Sequence, residues 1–137
     1  MMLKEIIDKD PIAKFLFERS IFTYSQLDTY LIDTRNDTSL KQKIMLRDGK
    51  HVSKGSFLRT LKQAQMNLKK AFYTLILTEY LGILESGTTV GLIHVGKALN
   101  QISTSAPTFE DIKKVLDTID VTLNQLSKPT SRRKNIM

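Results

Sequence analysis

The segment Ser53–Leu75, SKGSFLRTLKQAQMNLKKAFYTL, decides the fold that this 137-residue chain predicts. Its apolar side chains recur at alternating steps of four and three residues, which mark one face of an α-helix: Phe57, Leu61, Ala64, Leu68, Ala71 and Leu75. Ser53 is a favourable N-cap residue, and neither glycine nor proline interrupts residues 56–81. The segment therefore predicts a helix of about 25–30 residues.

Shorter helical segments lie on both sides of this long helix. Asp10-Pro11 predicts one helix start, and the capping box from Thr23 to Gln26 predicts another. We expect Asn36-Asp37-Thr38 to end that second helix and to cap a third, short one. A last helix is predicted over Phe109–Leu126, where apolar residues follow a three-four pattern.

Residues 83–95 leave two interpretations open. The β-branched residues from Val90 to Val95 favour a short strand, and hence a small β-wing. The positions of Leu92, Val95 and Leu99 equally fit one face of a helix.

The fold class predicted is mainly α, with a tri-helical helix-turn-helix core, a long third helix, an extra C-terminal helix and room for a small β-wing near 83–95. We expect residues 1–128 to form a single helical domain, with the helix-turn-helix unit at about 23–68 and an oligomerisation part at about 71–127. Residues 129–137 are expected to be a disordered basic tail.

Positive charge is concentrated in one block. The chain has 21 Lys+Arg against 14 Asp+Glu, a net charge of +7, and residues 41–70 contain nine of the basic residues with one acid. Such a block attracts polyanions, of which nucleic acid is the commonest. The alternative is a solvated, lysine-rich helix face.

Composition excludes several kinds of chemistry. No cysteine is present, so disulfides, thiolate catalysis and Cys-ligated zinc are excluded, and His51 and His94 are far apart in the sequence. No glycine-rich phosphate loop or Ser-His-Asp set is found. We therefore expect no enzyme, no metal and no cofactor.

Membrane insertion is also not expected. The longest apolar stretch, residues 71–84, is interrupted by Thr74, Thr78 and Glu79, and the charged N-terminus does not fit a signal peptide. We expect a cytoplasmic protein, nucleoid-associated if it binds DNA.

The run Val52–Lys62, VSKGSFLRTLK, resembles the recognition-helix segment of helix-turn-helix and winged-helix regulators. Downstream, Glu79–Gly87, EYLGILESG, resembles the end of such a helix and the entry to the wing. The resemblance implies a DNA-binding domain whose major-groove face carries Lys54, Ser56, Arg59, Lys62 and Gln63.

The residues themselves support a similar assignment. Ser53 and Ser56 begin the long helix, where backbone N–H groups can face a phosphate. Lys70 lies further along, where only phosphate contact is expected. The full set of DNA-binding candidates is Lys50, Ser53, Lys54, Ser56, Arg59, Lys62, Gln63 and Lys70.

The segment 71–84 is apolar almost all round, which predicts burial in a homodimer. The leading hypothesis is a dimeric transcription regulator that binds double-stranded DNA. The main alternative is a helical interaction or assembly module that binds through residues 71–84 or 109–126. A third is RNA binding through the same basic helix, although sequence-specific RNA readers usually present aromatic platforms.

Overall fold

The computed structural model describes residues 2–48 and 52–128, and every regular element in that part of the chain is an α-helix. The prediction of a mainly α fold is confirmed. The helix named α5 has 27 residues, as the uninterrupted apolar repeat predicted. The elements in chain order are α1 (Met2–Lys9), α2 (Pro11–Arg19), α3 (Tyr24–Arg35), α4 (Leu40–Asp48), α5 (Lys54–Tyr80), α6 (Thr88–Thr104) and α7 (Phe109–Leu126).

The chain divides into two compact units, Met1–Ala71 and Phe72–Met137, here called the N-terminal and C-terminal units. The N-terminal unit contains α1 to α4 and the first part of α5. The C-terminal unit contains the last turns of α5 with α6 and α7. The functional division into a helix-turn-helix part and an oligomerisation part stays a prediction.

The N-terminal unit has a compact apolar centre. Helix α1 lies against α2 and α3, and α3 lies against α4. The buried apolar side chains of this unit are at most 5% exposed and come from four of its helices: Leu3, Ile12, Ile32, Phe57 and Ala64. Phe57 and Ala64 are both fully buried, so the apolar face predicted for α5 is the face that packs.

Two predicted helix starts are confirmed by their hydrogen bonds. The Asp10 Oδ1 accepts the N–H groups of Ile12 and Ala13 at 3.0 and 3.1 Å, with Pro11 at the first helical position. The Thr23 hydroxyl accepts the Gln26 N–H at 3.2 Å, while Gln26 Oε1 accepts the Thr23 N–H at 3.1 Å. Both signals are local, which is why the sequence alone revealed them.

The predicted cap of α4 is wrong by one residue. Ser39 Oγ accepts the Gln42 N–H at 3.3 Å and caps this helix. The Asn36 side-chain amide instead donates to the Ile32 carbonyl at 2.8 Å, which closes α3. The break at Asn36-Asp37-Thr38 is therefore correct, but these residues do not start the next helix.

Helix α1 was not predicted. The backbone N–H of Leu3, in its first turn, donates to Asp28 Oδ1 at 2.7 Å in a buried position. The acceptor for this helix end is 25 residues away in sequence. No local cap was available to identify an eight-residue helix, and short helices are marginal without tertiary support.

The β-wing interpretation for residues 83–95 is wrong, because a turn and the start of α6 occupy this stretch. Gly82, at φ 66°, ends α5, and the Ile83 N–H reaches back to the Thr78 carbonyl at 3.0 Å. Gly87, at φ 86°, immediately precedes α6. The helical repeat, which includes the buried Leu99, therefore predicted this segment correctly, whereas the β-branched composition of residues 90–95 did not.

Helix α7 begins as predicted, with the Thr108 hydroxyl accepting the Asp111 N–H at 3.2 Å. It ends at Leu126, which is also the predicted end. The predicted disordered basic tail, residues 129–137, lies outside the described residues.

Candidate nucleic-acid interface

The first part of α5 has two opposite faces. Phe57 and Ala64 are fully buried, whereas Arg59, Lys62 and Gln63 are exposed. Since a helix turns by about 100° per residue, Arg59 lies on the side opposite Phe57. Solvent therefore meets a face that is largely polar and positively charged.

This basic face extends along the helix. Arg59, Gln63 and Lys70 lie within a narrow sector of α5, and Lys62 lies on its flank. From Arg59 to Lys70 the axis advances by roughly 16 Å, at about 1.5 Å per residue. Met66, 48% exposed, lies in the middle of the sector and supplies an apolar contact point. The structure thus brings together four of the predicted contact residues.

Lys54 does not belong to that face. It lies five residues before Arg59, which places it roughly 140° away around the helix. Lys54 instead borders a surface groove of about 380 Å³, whose other lining residues come from α4: Leu40, Lys41, Ile44 and Met45.

Lys41 is a functional candidate that the sequence analysis missed. Its exposed side chain lies on the same groove as Lys54, so α4 and the start of α5 each contribute an ammonium group. The groove lining between them is apolar. The only sequence signal for Lys41 was its membership of the basic block, because its proximity to Lys54 depends on how α4 meets α5.

Some of the N–H groups at the start of α5 are already hydrogen-bonded to the residue that caps the helix. Ser53 Oγ accepts the Ser56 N–H at 3.1 Å, and the Ser53 carbonyl accepts the Phe57 N–H at 2.9 Å. The Ser56 N–H is therefore not available to a phosphate, contrary to the expectation from sequence. Ser53 thus contributes chiefly as a cap, and Ser56 is half-buried.

Two cations of the basic block are structural. Lys43 Nζ pairs with Asp33 Oδ1 at 3.1 Å, joining α4 to α3, and the Lys43 side chain is 17% exposed. Arg47 is 8% exposed. Neither presents its charge to solvent as the basic block suggested. Lys50, another predicted contact, lies outside the described residues.

The two units differ in net charge. The N-terminal unit has 14 Lys+Arg and 8 Asp+Glu, whereas the C-terminal unit has 7 and 6. The excess positive charge therefore belongs almost entirely to the unit that contains the basic face of α5. A polyanion would be attracted to this unit rather than to the other.

Comparison with known proteins finds no matching family model, no matching curated protein and no matching solved structure. Within the described part of the chain, none of the helices has both the length and the apolar content needed to cross a bilayer.

Proposed function

We propose that this protein binds double-stranded DNA as a homodimer and acts as a transcription regulator, by binding rather than by catalysis. In this proposal α3, α4 and the first part of α5 form a helix-turn-helix unit, and α5 enters the major groove. The cytoplasm, or the nucleoid within it, is the corresponding location. The observation that carries the proposal is the exposed face of α5 that includes Arg59, Lys62, Gln63 and Lys70, opposite the fully buried side chains of Phe57 and Ala64.

The chemistry of that face suits base recognition. An arginine can contact guanine O6 and N7 with two hydrogen bonds, and a glutamine can contact adenine in the same way. Arg59 and Gln63 are one helical turn apart, so they can address neighbouring base pairs. The exposed ammonium groups of Lys41 and Lys54, on the other side of α5, are suited to phosphate contacts.

A salt titration tests this function. With about four phosphate contacts per protomer, a dimer would make about eight, so the logarithm of affinity should fall with the logarithm of salt with a slope near −7. We would measure binding of a labelled random duplex by fluorescence anisotropy. The matched variants are Lys62→Ala on the basic face and Lys97→Ala on α6, both exposed lysines.

We expect Lys62→Ala to reduce duplex affinity and the salt slope, and Lys97→Ala to leave both unchanged. A wild-type affinity that stays flat between low and moderate salt would refute phosphate docking. Stronger binding to single-stranded RNA than to duplex DNA would favour the RNA alternative instead.

A second candidate function is a protein-interaction or assembly module without nucleic-acid binding. The observation that favours it is the apolar surface of the C-terminal unit, where Phe72, Ile76 and Tyr80 are 54%, 62% and 86% exposed. Exposed apolar surface of this extent marks a protein contact. Absence of duplex binding at low salt, with self-association retained, would make this the better account.

A further inference from the structure

The C-terminal unit exposes more of its large apolar side chains than it buries. Of the described residues, two apolar side chains of this unit are buried, Leu99 and Leu116, whereas thirteen large ones are exposed. The N-terminal unit, of similar length, has five buried and six exposed. The C-terminal unit also lacks the disulfides by which small units compensate for a small core. Its apolar surface therefore needs a partner.

Part of this surface is a ridge at the end of α5. Four side chains define it and are all more than half exposed: Phe72, Ile76, Leu77 and Tyr80. Phe72, Ile76 and Tyr80 recur every four residues along one side of the helix, and Leu77, three residues before Tyr80, flanks the end of this row. Such spacing is typical of a helix that inserts its apolar side chains into a groove on another protein.

The same unit contains a groove with matching chemistry. A groove of about 370 Å³ lies between α6 and α7, and its lining is almost entirely apolar. The Thr118 and Thr122 hydroxyls on its α7 side donate to the carbonyls of Lys114 and Thr118, both at 2.8 Å. These hydroxyls are thereby satisfied within α7 and require no polar partner. Gly91, on the α6 side, has no atom near the position of a Cβ, so the groove is open there.

We propose that the ridge of α5 in one copy docks into the α6–α7 groove of a second copy, and that the second copy returns the contact. This inference deepens the proposed homodimer and does not depend on DNA binding. With a two-fold axis, the ridge of each copy contacts the groove of the other copy. Both apolar surfaces of each copy are therefore covered. Because no ridge or groove is then left uncovered, assembly through this interface stops at two subunits.

The available area is suited to a second copy. The exposed apolar area of the four ridge residues is on the order of 450 Å². An interface of standard size takes roughly 800 Å² from each partner, a little over half of it apolar, so the ridge alone can supply the apolar part.

The net charge of the C-terminal unit permits contact between two copies. With 7 basic and 6 acidic residues, the C-terminal unit is nearly neutral, so two copies would repel each other weakly. The strongly basic N-terminal unit would oppose self-association through its own surface.

Two glycines of α6 give a matched test. Gly91 lines the groove and Gly96 does not, while both are exposed helical positions with open space around a new Cβ. Gly91→Arg and Gly96→Arg therefore add the same charge and the same helix propensity. Leu77→Arg on the ridge is matched by Met66→Arg, an exposed position of similar accessibility in the N-terminal part of α5.

The readout is the dimer dissociation constant of the full chain, measured by analytical ultracentrifugation. We expect wild type to sediment as a dimer of 15.6 kDa chains, and Gly91→Arg and Leu77→Arg to raise the constant by about tenfold or more. Gly96→Arg and Met66→Arg should change it by less than about twofold. Circular dichroism would verify that each variant keeps its helical content.

Cross-linking tests the pairing directly, because the natural chain has no cysteine. Leu77→Cys and Thr122→Cys proteins are mixed with a short bismaleimide. Ridge-to-groove pairing predicts that the mixed product exceeds the products of either protein alone.

The outcomes separate the two proposals. A monomeric wild type at tens of micromolar would overturn both the ridge-and-groove interface and the homodimer. A dimer that survives both Gly91→Arg and Leu77→Arg, without mixed cross-linking, would overturn this interface only. DNA binding lost while the dimer persists would overturn the proposed function and leave the interface standing.

Discussion

Gln26 on α3 and Asn67 on α5 are joined by a hydrogen bond of 2.7 Å, from the Asn67 side-chain Nδ2 to Gln26 Oε1. The same oxygen accepts the Thr23 N–H at 3.1 Å within the capping box. One side-chain oxygen therefore closes the start of α3 and links it to α5, 41 residues away. This contact holds the basic face of α5 in a defined position relative to α3.

Removing either partner should destabilise the N-terminal unit by different amounts. Asn67→Ala should cost about 1 kcal/mol, the usual net contribution of one hydrogen bond. Gln26→Ala should cost about 2 kcal/mol, because the capping-box contact is lost as well. Urea denaturation measures both, with Gln63→Ala on exposed α5 as the control. If the double variant costs the sum of the two single changes, the residues are not coupled and this account is wrong.

The Asp28 carboxylate should be essential for α1. Asp28→Ala leaves the buried Leu3 N–H without this acceptor, which should cost about 1–3 kcal/mol. Hydrogen exchange of the α1 amides should accelerate more than that of α5. Asp37→Ala, in the exposed α3–α4 connection, is the control and should leave α1 exchange unchanged. Equal protection of α1 in both variants would contradict the assigned role.

Phe57 should dominate the stability of the N-terminal unit. This side chain is fully buried, so Phe57→Ala should lower the free energy of unfolding by about 3–5 kcal/mol. Phe109→Ala removes the same ring from a position that is 76% exposed and should cost about 0.5 kcal/mol or less. Thermal and urea unfolding would measure the difference. Similar losses for the two variants would show that the assigned core is incorrect.

We expect different positions along α5 to serve base recognition and phosphate contact. Arg59→Ala should cost about 1–3 kcal/mol on the preferred duplex and relax specificity at one base position. Lys70→Ala should weaken binding to all duplexes alike and reduce the salt slope by about one. Site selection followed by anisotropy titration measures both effects.

Neither change should alter the free energy of unfolding by more than about 0.5 kcal/mol, because both side chains are exposed. If a folded Arg59→Ala protein binds every duplex as wild type does, α5 is not the recognition helix. The assembly-module function would then be the better account.

Much of the helical layout could be predicted from local sequence signals. The proline and aspartate at the start of α2, the capping box of α3 and the long apolar repeat of α5 act between residues within one or two turns. The two caps depend little on the rest of the chain, whereas the apolar repeat of α5 is visible in the sequence but is stabilised by packing against other helices. The burial of Phe57 and Ala64 opposite Arg59 follows from the same repeat.

Contacts between distant residues decided the remainder. Helix α1 depends on Asp28, whose carboxylate accepts the N–H of Leu3 from 25 residues away in sequence. Lys43 and Arg47 count as cations in the sequence, yet the first is paired with Asp33 and mostly covered, and the second is buried. Lys54 lies on the α4 groove with Lys41 rather than on the face of Arg59. Composition records how much charge a segment carries, but only the packing of helices against one another determines which charges reach the surface and which of them meet.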